Sequence, residues 1–376
     1  MKNPFKHGGN TREVAHLFNI KDEIIDFSAN INPLGLPESI KMIIHENINN
    51  ILHYPDPNYE DLKNSILKYL NYKKNNSGDN SPKLSQDKKV SAENIILGNG
   101  SSELIYLIAY ALRPKHALLL SPTFSEYERA LSNVNSKIDY LLLDENENFD
   151  IPLNEIITRL DKIDIIFLCN PNNPTGRIIY KNNLLYLIDK LHKSKTLLVL
   201  DEAFIDIEEN NSVADIAHQN NNLFILRSLT KFFSMPGLRL GYGIGTEELI
   251  DTLQKFKQPW TINNFAESVG SKFIHDREFI KKSKYILQKE KNFLYESLLG
   301  IEGLNPYDSH TNFIFIKIKA PISSGKLQEQ LIKKRILIRD CSNFRGLDES
   351  FIRIAVKNRD DNMRLIKELQ NILSVK

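Results

Sequence analysis

Only two cysteines, Cys169 and Cys341, occur in the 376 residues, too few for a disulfide framework in a chain of this size. A reducing cytoplasm is therefore the expected setting. Neither sign of charge is in excess: 49 basic against 47 acidic side chains leave a net charge of +2. That balance excludes the electrostatic footprint of a nucleic-acid or acidic-membrane binder. Long hydrophobic runs are missing as well. The longest, such as 165–169 and 196–200, are strand-sized, whereas a membrane span needs roughly 18 apolar residues. The opening segment MKNPFKHGGN has no apolar core, so no secretory signal is expected from it. No Gly-Lys-Ser/Thr follows the glycines at 98 and 100, which excludes a nucleotide P-loop. No internal repeat and no metal-ligand pattern is present. What remains is an ordinary globular composition, 41% hydrophobic and 26% charged, in a length that suits two domains.

From about 95 to 245, short apolar runs alternate with longer stretches of helical spacing. The runs at 117–120, 163–169, 197–200 and 223–226 read as strands buried on both faces. The clearest helix is 102–112, with Leu104, Leu107, Ile108, Ala111 and Leu112 on one face. This alternation predicts an α/β fold, with a mostly parallel sheet covered by helices in a large domain. The C-terminal third predicts a smaller α+β domain. Residues 312–319 alternate as a strand, 336–339 and 351–356 follow, and Asp360 reads as the N-cap of a closing helix. A helical pattern over 276–299, stopped at Gly300, joins the two. Residues 73–94 are nearly devoid of large apolar groups and read as a solvated, mobile surface insertion.

Four stretches at predicted strand ends carry the chemistry, at the edge where open α/β sheets bind ligands. Gly98-Asn99-Gly100-Ser101-Ser102-Glu103 opens the 102–112 helix, where free N–H groups favour a phosphate. Asn170-Pro171-Asn172-Asn173-Pro174-Thr175-Gly176 is a rigid loop that aims an amide into a site. Asp201-Glu202 ends a buried strand, where a carboxylate needs a cation. Lys231, in Ser228-Leu229-Thr230-Lys231-Phe232-Phe233, has apolar neighbours that lower an amine pKa. Taken singly, each stretch also suits an ordinary turn, loop or surface lysine.

In their order and spacing the four resemble the fold-type I enzymes that use pyridoxal 5′-phosphate, the class I/II aminotransferase group, over nearly the whole chain. The resemblance implies a division into an N-terminal arm with part of the small domain (1–45), a large cofactor-binding domain (46–270) and a small domain (271–376). It implies that Lys231 is the catalytic lysine that holds the cofactor covalently. Asp201 would pair with the pyridinium nitrogen and Asn173 would donate to the phenolate oxygen. Ser101, Ser102, Ser228 and Arg239 would cradle the phosphate, and Phe124 would stack on the pyridine. Tyr54, in His53-Tyr54-Pro55-Asp56, would reach the cofactor phosphate of a neighbouring subunit, which implies a homodimer. One position departs from the pattern: Phe204 stands where many relatives have a tyrosine facing the phenolate oxygen.

Within the group the chain resembles two families, the threonine-phosphate decarboxylases of cobalamin biosynthesis and the histidinol-phosphate aminotransferases. The stretches His7-Gly8-Gly9-Asn10, Asp26 to Gly35 and Gln258-Pro259-Trp260-Thr261-Ile262-Asn263 look more like the first. Arg353 resembles the arginine that binds substrate carboxylates, and Arg339 lies on the preceding strand. Two guanidinium groups suit a substrate with both a carboxylate and a phosphate. Asn32, His7, Gly8, His310 and Asn312 are further pocket candidates. The implied reaction is decarboxylation of O-phospho-L-threonine, or O-phospho-L-serine, to the corresponding amino-alcohol phosphate. The alternatives are histidinol-phosphate transamination and a non-catalytic binding protein on the same fold. Lys231, Asp201 and Arg239 together argue against the last.

Overall fold

Seven strands between Ile95 and Ile244 form the larger sheet of the computed structural model, which describes residues 7–76 and 89–374. They are β1 (Ile95–Asn99), β2 (His116–Ser121), β3 (Lys137–Leu142), β4 (Ile165–Cys169), β5 (Leu197–Asp201), β6 (Leu223–Ser228) and β7 (Leu240–Ile244). Their order across the sheet is β1-β7-β6-β5-β4-β2-β3. Strands β2 to β6 pair in parallel, while β7 runs antiparallel to both β6 and β1. The apolar runs are continuous because both faces are covered. Every residue of β4 and β6 is buried, and alternate residues serve opposite cores. Ile165 and Phe167 pack into one cluster with Leu104 and Ile108 of the helix Ser101–Leu112. Ile166 and Leu168 pack into the other with Leu184 and Leu187. The expected mostly parallel sheet is present.

The second sheet is antiparallel: β8 (Leu304–Pro306), β9 (Phe313–Ile318), β10 (Arg339–Asp340) and β11 (Phe351–Ala355), in the order β10-β11-β9-β8. The single strand expected over 336–339 is instead two short pieces. Ile336–Leu337 pairs in parallel with Ile25–Asp26, and Arg339–Asp340 pairs with β11. The N-terminal segment wedges in at this point: Phe27 N donates to Leu337 O at 2.7 Å, and Ala355 N donates to Phe27 O at 2.8 Å. The break places Arg339 directly opposite Arg353 in register.

The joining helix runs over Arg277–Leu299, capped by Asp276, and stops at Gly300. The closing helix Arg359–Leu373 is capped by Asn358, whose side chain accepts from Asp361 N at 2.9 Å. Asp360, expected as the cap, already lies in the first turn, because the extended residue before the helix is Asn358. Of the polar stretch 73–94, residues 77–88 lie outside those described. Residues 73–76 complete the helix Glu60–Asn76, and Ala92–Asn94 forms one turn boxed by Ser91. Among the described residues no helix is long and apolar enough to cross a membrane.

Candidate active site

The parallel register sets Cys169 beside Asp201, and Asp201 beside Leu226. The Asn170–Gly176 loop, Asp201 and the Ser228–Lys231 segment therefore emerge at one edge of the sheet. Asp201 is buried, accepts from Ala203 N at 3.0 Å, and takes the Tyr127 hydroxyl at 2.7 Å on its other oxygen. Burial raises the Asp201 pKa, against the pull of Tyr127 and Lys231. Tyr127 is the main residue that sequence reasoning missed. It is buried, stacked on Phe167 at 5.3 Å and edge-on to Phe124 at 5.6 Å. Its one available signal is its place three residues after Phe124, in the first turn of the helix Glu126–Ser132 that follows β2. Glu202, next to Asp201, finds the expected cation in buried Arg227 at 2.8 Å, which also forms a bidentate pair with Glu209. Cys169 lies behind Asp201, its thiol pushed up to about 12 by burial.

Lys231 Nζ donates to Ser228 Oγ at 3.0 Å and sits 5.4 Å from the centre of the Phe204 ring. Burial lowers its pKa, Asp201 opposes that, and Arg239 adds to it. Ser101 is buried at the first turn of the helix Ser101–Leu112, with Ser102 beside it. Gly100, just before them, has φ +76°, and a Cβ there would lie 2.3 Å from Arg239 Nη2. Only glycine lets this guanidinium close on the helix start. Arg239 thus stands at the N-terminus of the helix that Ser101 opens, where the backbone N–H groups and helix dipole add to its positive charge.

Across the edge stands the second sheet. Arg353, buried, donates from Nη1 to Asn173 Oδ1 and from Nη2 to Ser28 O at 2.8 Å. Its Nε has no partner among the described residues, and burial pulls its pKa down to about 10. Because Arg353 occupies the Asn173 carbonyl oxygen, the Asn173 amide keeps its N–H groups as donors. Arg339, also buried, has its pKa lowered by burial. Opposed residues of an antiparallel pair share a face, so two guanidinium groups stand side by side. A small cleft lined by His7, Asn10, Ser28 and Arg339 lies next to them.

The remaining candidates divide. His7 pairs with Glu126 at 2.9 Å and lies 6.1 Å from the Phe124 ring. Gly8 packs where a Cβ would meet Ser28 O at 2.1 Å, so it lets the N-terminal arm lie against the arginine cleft. Asn32 does not present its side chain to the cleft: its amide donates to Phe232 O and Ser283 Oγ, and its oxygen accepts from Leu34 N. Its backbone N–H donates to Lys231 O at 3.1 Å, which makes it a brace behind the lysine. His310 contacts Glu208 at 3.1 Å, and its N–H donates to Gly176 O. Asn312 donates to Asn30 O at 3.0 Å. Tyr54 lies on the surface, 81% exposed and packed on Trp260 at 5.0 Å. Among the described residues no group of three His, Cys, Asp or Glu could hold a metal.

The sequence profile of the family described as aminotransferase class I and II matches residues 22–369. A protein of Caldanaerobacter subterraneus subsp. tengcongensis with a provisional threonine-phosphate decarboxylase name is 40% identical, over 98% of this chain and 94% of its own. The threonine-phosphate decarboxylase of Salmonella typhimurium is 33% identical, over 98% of this chain and 96% of that protein. The crystal structure of the histidinol-phosphate aminotransferase from Clostridium acetobutylicum is 34% identical with a TM-score of 0.83, covering 93% of this chain and 99% of that one.

Proposed function

The chain belongs to the class I and II aminotransferase family, with pyridoxal 5′-phosphate as its cofactor, and on that premise we propose that it decarboxylates O-phospho-L-threonine. The residues present fit the cofactor. A buried carboxylate, Asp201, calls for a cation, and the pyridinium nitrogen would supply one. Lys231 is an amine with a lowered pKa, suited to covalent attachment. Ser101, Ser228 and Arg239 would hold the phosphate, Phe124 the ring face and Asn173 the phenolate oxygen. Once bound, the cofactor supplies an electron sink for whichever α-carbon bond the protein aligns with it.

Choosing that bond is the task of the side chains. The observation that carries the reading is the pair Arg339 and Arg353, adjacent in register and both buried. Two such cations suit a substrate with an anion at each end, and holding both ends fixes the α-carbon between them. With the carboxylate held in line with that sink, its bond to the α-carbon would break, CO2 would leave, and Lys231, released from the cofactor by the incoming substrate amine, would return a proton to the α-carbon. The product is 1-aminopropan-2-ol phosphate. His7, held by Glu126 beside the same cleft, would add a third polar group at the Arg339 end of the substrate site.

The second reading, histidinol-phosphate transamination, is favoured by the likeness to the Clostridium structure. Assaying CO2 and keto-acid formation together, with O-phospho-L-threonine, O-phospho-L-serine and histidinol phosphate, separates the two. CO2 from a phosphoamino acid supports decarboxylation; keto-acid-dependent turnover of histidinol phosphate alone ends it.

The working unit in this proposal is a cytoplasmic homodimer. Ile51, Leu52 and Tyr54 are among the most exposed apolar side chains described; Ile48 shares the short segment Ile48–Leu52, and Trp260 packs on Tyr54. A patch of this kind fits a covered interface, and it would carry Tyr54 to the partner's phosphate site.

A further inference from the structure

Residues 341–347 follow the strand Arg339–Asp340 and fold back over Arg339. Asn343 Oδ1 accepts from Arg339 Nη2 at 2.7 Å, and the guanidinium lies over the Phe344 ring, 5.1 Å from its centre. Further along, the same loop is fastened to the larger sheet. Ser121 Oγ, at the end of β2, donates to Arg345 O at 2.7 Å. Arg345 donates to both carboxylate oxygens of Glu128, at 3.2 and 2.6 Å, and lies over the Tyr140 ring of β3 at 4.1 Å. Between loop and sheet is a cavity of about 500 Å³ with Thr123, Phe124 and Ser125 on one wall and Ser342, Asn343 and Phe344 on the other. One wall therefore carries the ring assigned to the cofactor, and the other carries the groups that touch a substrate arginine.

We propose that residues 341–347 form a clasp that aims Arg339, with Asn343 and Phe344 as positioning residues and the Arg345–Glu128 pair as the latch on the larger sheet. The proposal rests on the reading of Arg339 as a substrate anchor. An arginine binds an oxyanion well only when its planar fork is held in place, because the long side chain otherwise loses entropy on binding. Asn343 fixes one nitrogen and Phe344 fixes the plane. The latch holds both while remaining near solvent, with Arg345 half exposed and Glu128 one-third exposed. Exposed pairs of this kind contribute little to global stability, so removing the latch leaves the fold intact and loosens only the clasp.

The test uses the holoenzyme and four variants: Asn343→Ala, Arg345→Ala, Glu128→Ala and the exchanged double variant Glu128→Arg with Arg345→Glu. All should melt close to wild type. With O-phospho-L-threonine, KM should rise about three- to fivefold in the two latch variants, the upper range for an exposed ion pair. It should rise about tenfold or more in Asn343→Ala, which loses a hydrogen bond to a charged donor. kcat should move less than KM, and the exchanged pair should recover most of the loss. Deuterium exchange over 342–347 should quicken in the latch variants and slow in wild type when substrate is added. If wild type releases CO2 while Asn343→Ala and Arg345→Ala keep its KM and its exchange rates, the clasp is refuted. If wild type releases none, the decarboxylase reading is what fails. The same variants are then read with histidinol phosphate, where a raised KM supports the clasp and an unchanged one overturns it.

Discussion

Removing the Tyr127 hydroxyl should cost the protein most at pH values where Asp201 is charged. Tyr127→Phe keeps the ring stacked on Phe167 and deletes the 2.7 Å hydrogen bond to Asp201, together with the hydroxyl's contact to the Cys169 thiol, which stays neutral across this pH range. A hydrogen bond to a charged group contributes ~1.5–3 kcal/mol, and one to a neutral group ~0.5–1.5 kcal/mol. The variant therefore loses more when Asp201 is a carboxylate than when it is protonated. Burial already holds the Asp201 pKa above the usual carboxylate range, with Tyr127 the leading contact opposing it. A raised native pKa means that this group's contribution to stability is fully present below the ordinary carboxylate range. It is lost as pH rises through the native value. Deleting the hydroxyl raises that value further and enlarges the loss. Thermal unfolding of cofactor-free wild type and Tyr127→Phe, followed from acid to neutral pH, gives the measurement. The gap between them should be small in acid and wider by ~1–2 kcal/mol at neutral pH, the difference between the two kinds of hydrogen bond. A gap that is constant with pH, or absent, would refute the claim that Tyr127 sustains the Asp201 charge.

Lys231→Ala should abolish turnover and the visible absorbance of the bound cofactor while the fold persists; absorbance spectra and circular dichroism check both. Gly100→Ala should release pyridoxal phosphate on dialysis far more readily than wild type. Its Cβ would fall 2.3 Å from Arg239 Nη2, on a backbone at φ +76° and ψ 160° that costs an L-residue ~1–3 kcal/mol. Light scattering should find a dimer at assay concentration, and Tyr54→Ala should weaken cofactor retention; a fully active monomer would contradict the role given to Tyr54.

Periodicity and turn chemistry made the large sheet legible, because strands buried on both faces read as unbroken apolar runs. The antiparallel strand β7 was harder to see, since Gly241 and Gly243 interrupt its apolar pattern. The split at 336–340 was invisible for another reason: it depends on Ile25–Asp26, more than 300 residues earlier in the chain. The motifs of Asn173, Asp201 and Lys231 follow parallel strands whose register brings them to one edge, and the antiparallel pair β1–β7, with Asn99 opposite Leu240, brings Ser101 near Arg239. Contacts between residues far apart in the chain cannot be read in the same way. Nothing local to Arg353 says that it will meet Asn173, 180 residues away, or nothing local to Tyr127 that it will meet Asp201. Asn32 shows the reverse case. Its place among the pocket candidates suggests a side chain facing the substrate, but buried amides must satisfy themselves, and here the available partners lie behind Lys231.

The central claim is that Arg339 and Arg353 hold a doubly anionic substrate so that only the carboxylate bond breaks. Losing either removes a charge-assisted contact to a buried anion, which costs ~2–5 kcal/mol in binding. It also frees one end of the substrate to turn. The most direct measurement is the ratio of CO2 released to pyridoxamine phosphate formed from O-phospho-L-threonine in wild type, Arg339→Ala and Arg353→Ala. Wild type should give almost only CO2, and each variant a slower reaction with a measurable share of pyridoxamine phosphate. Wild type that accumulates pyridoxamine phosphate, or variants that keep the wild-type ratio at reduced rate, would contradict the account.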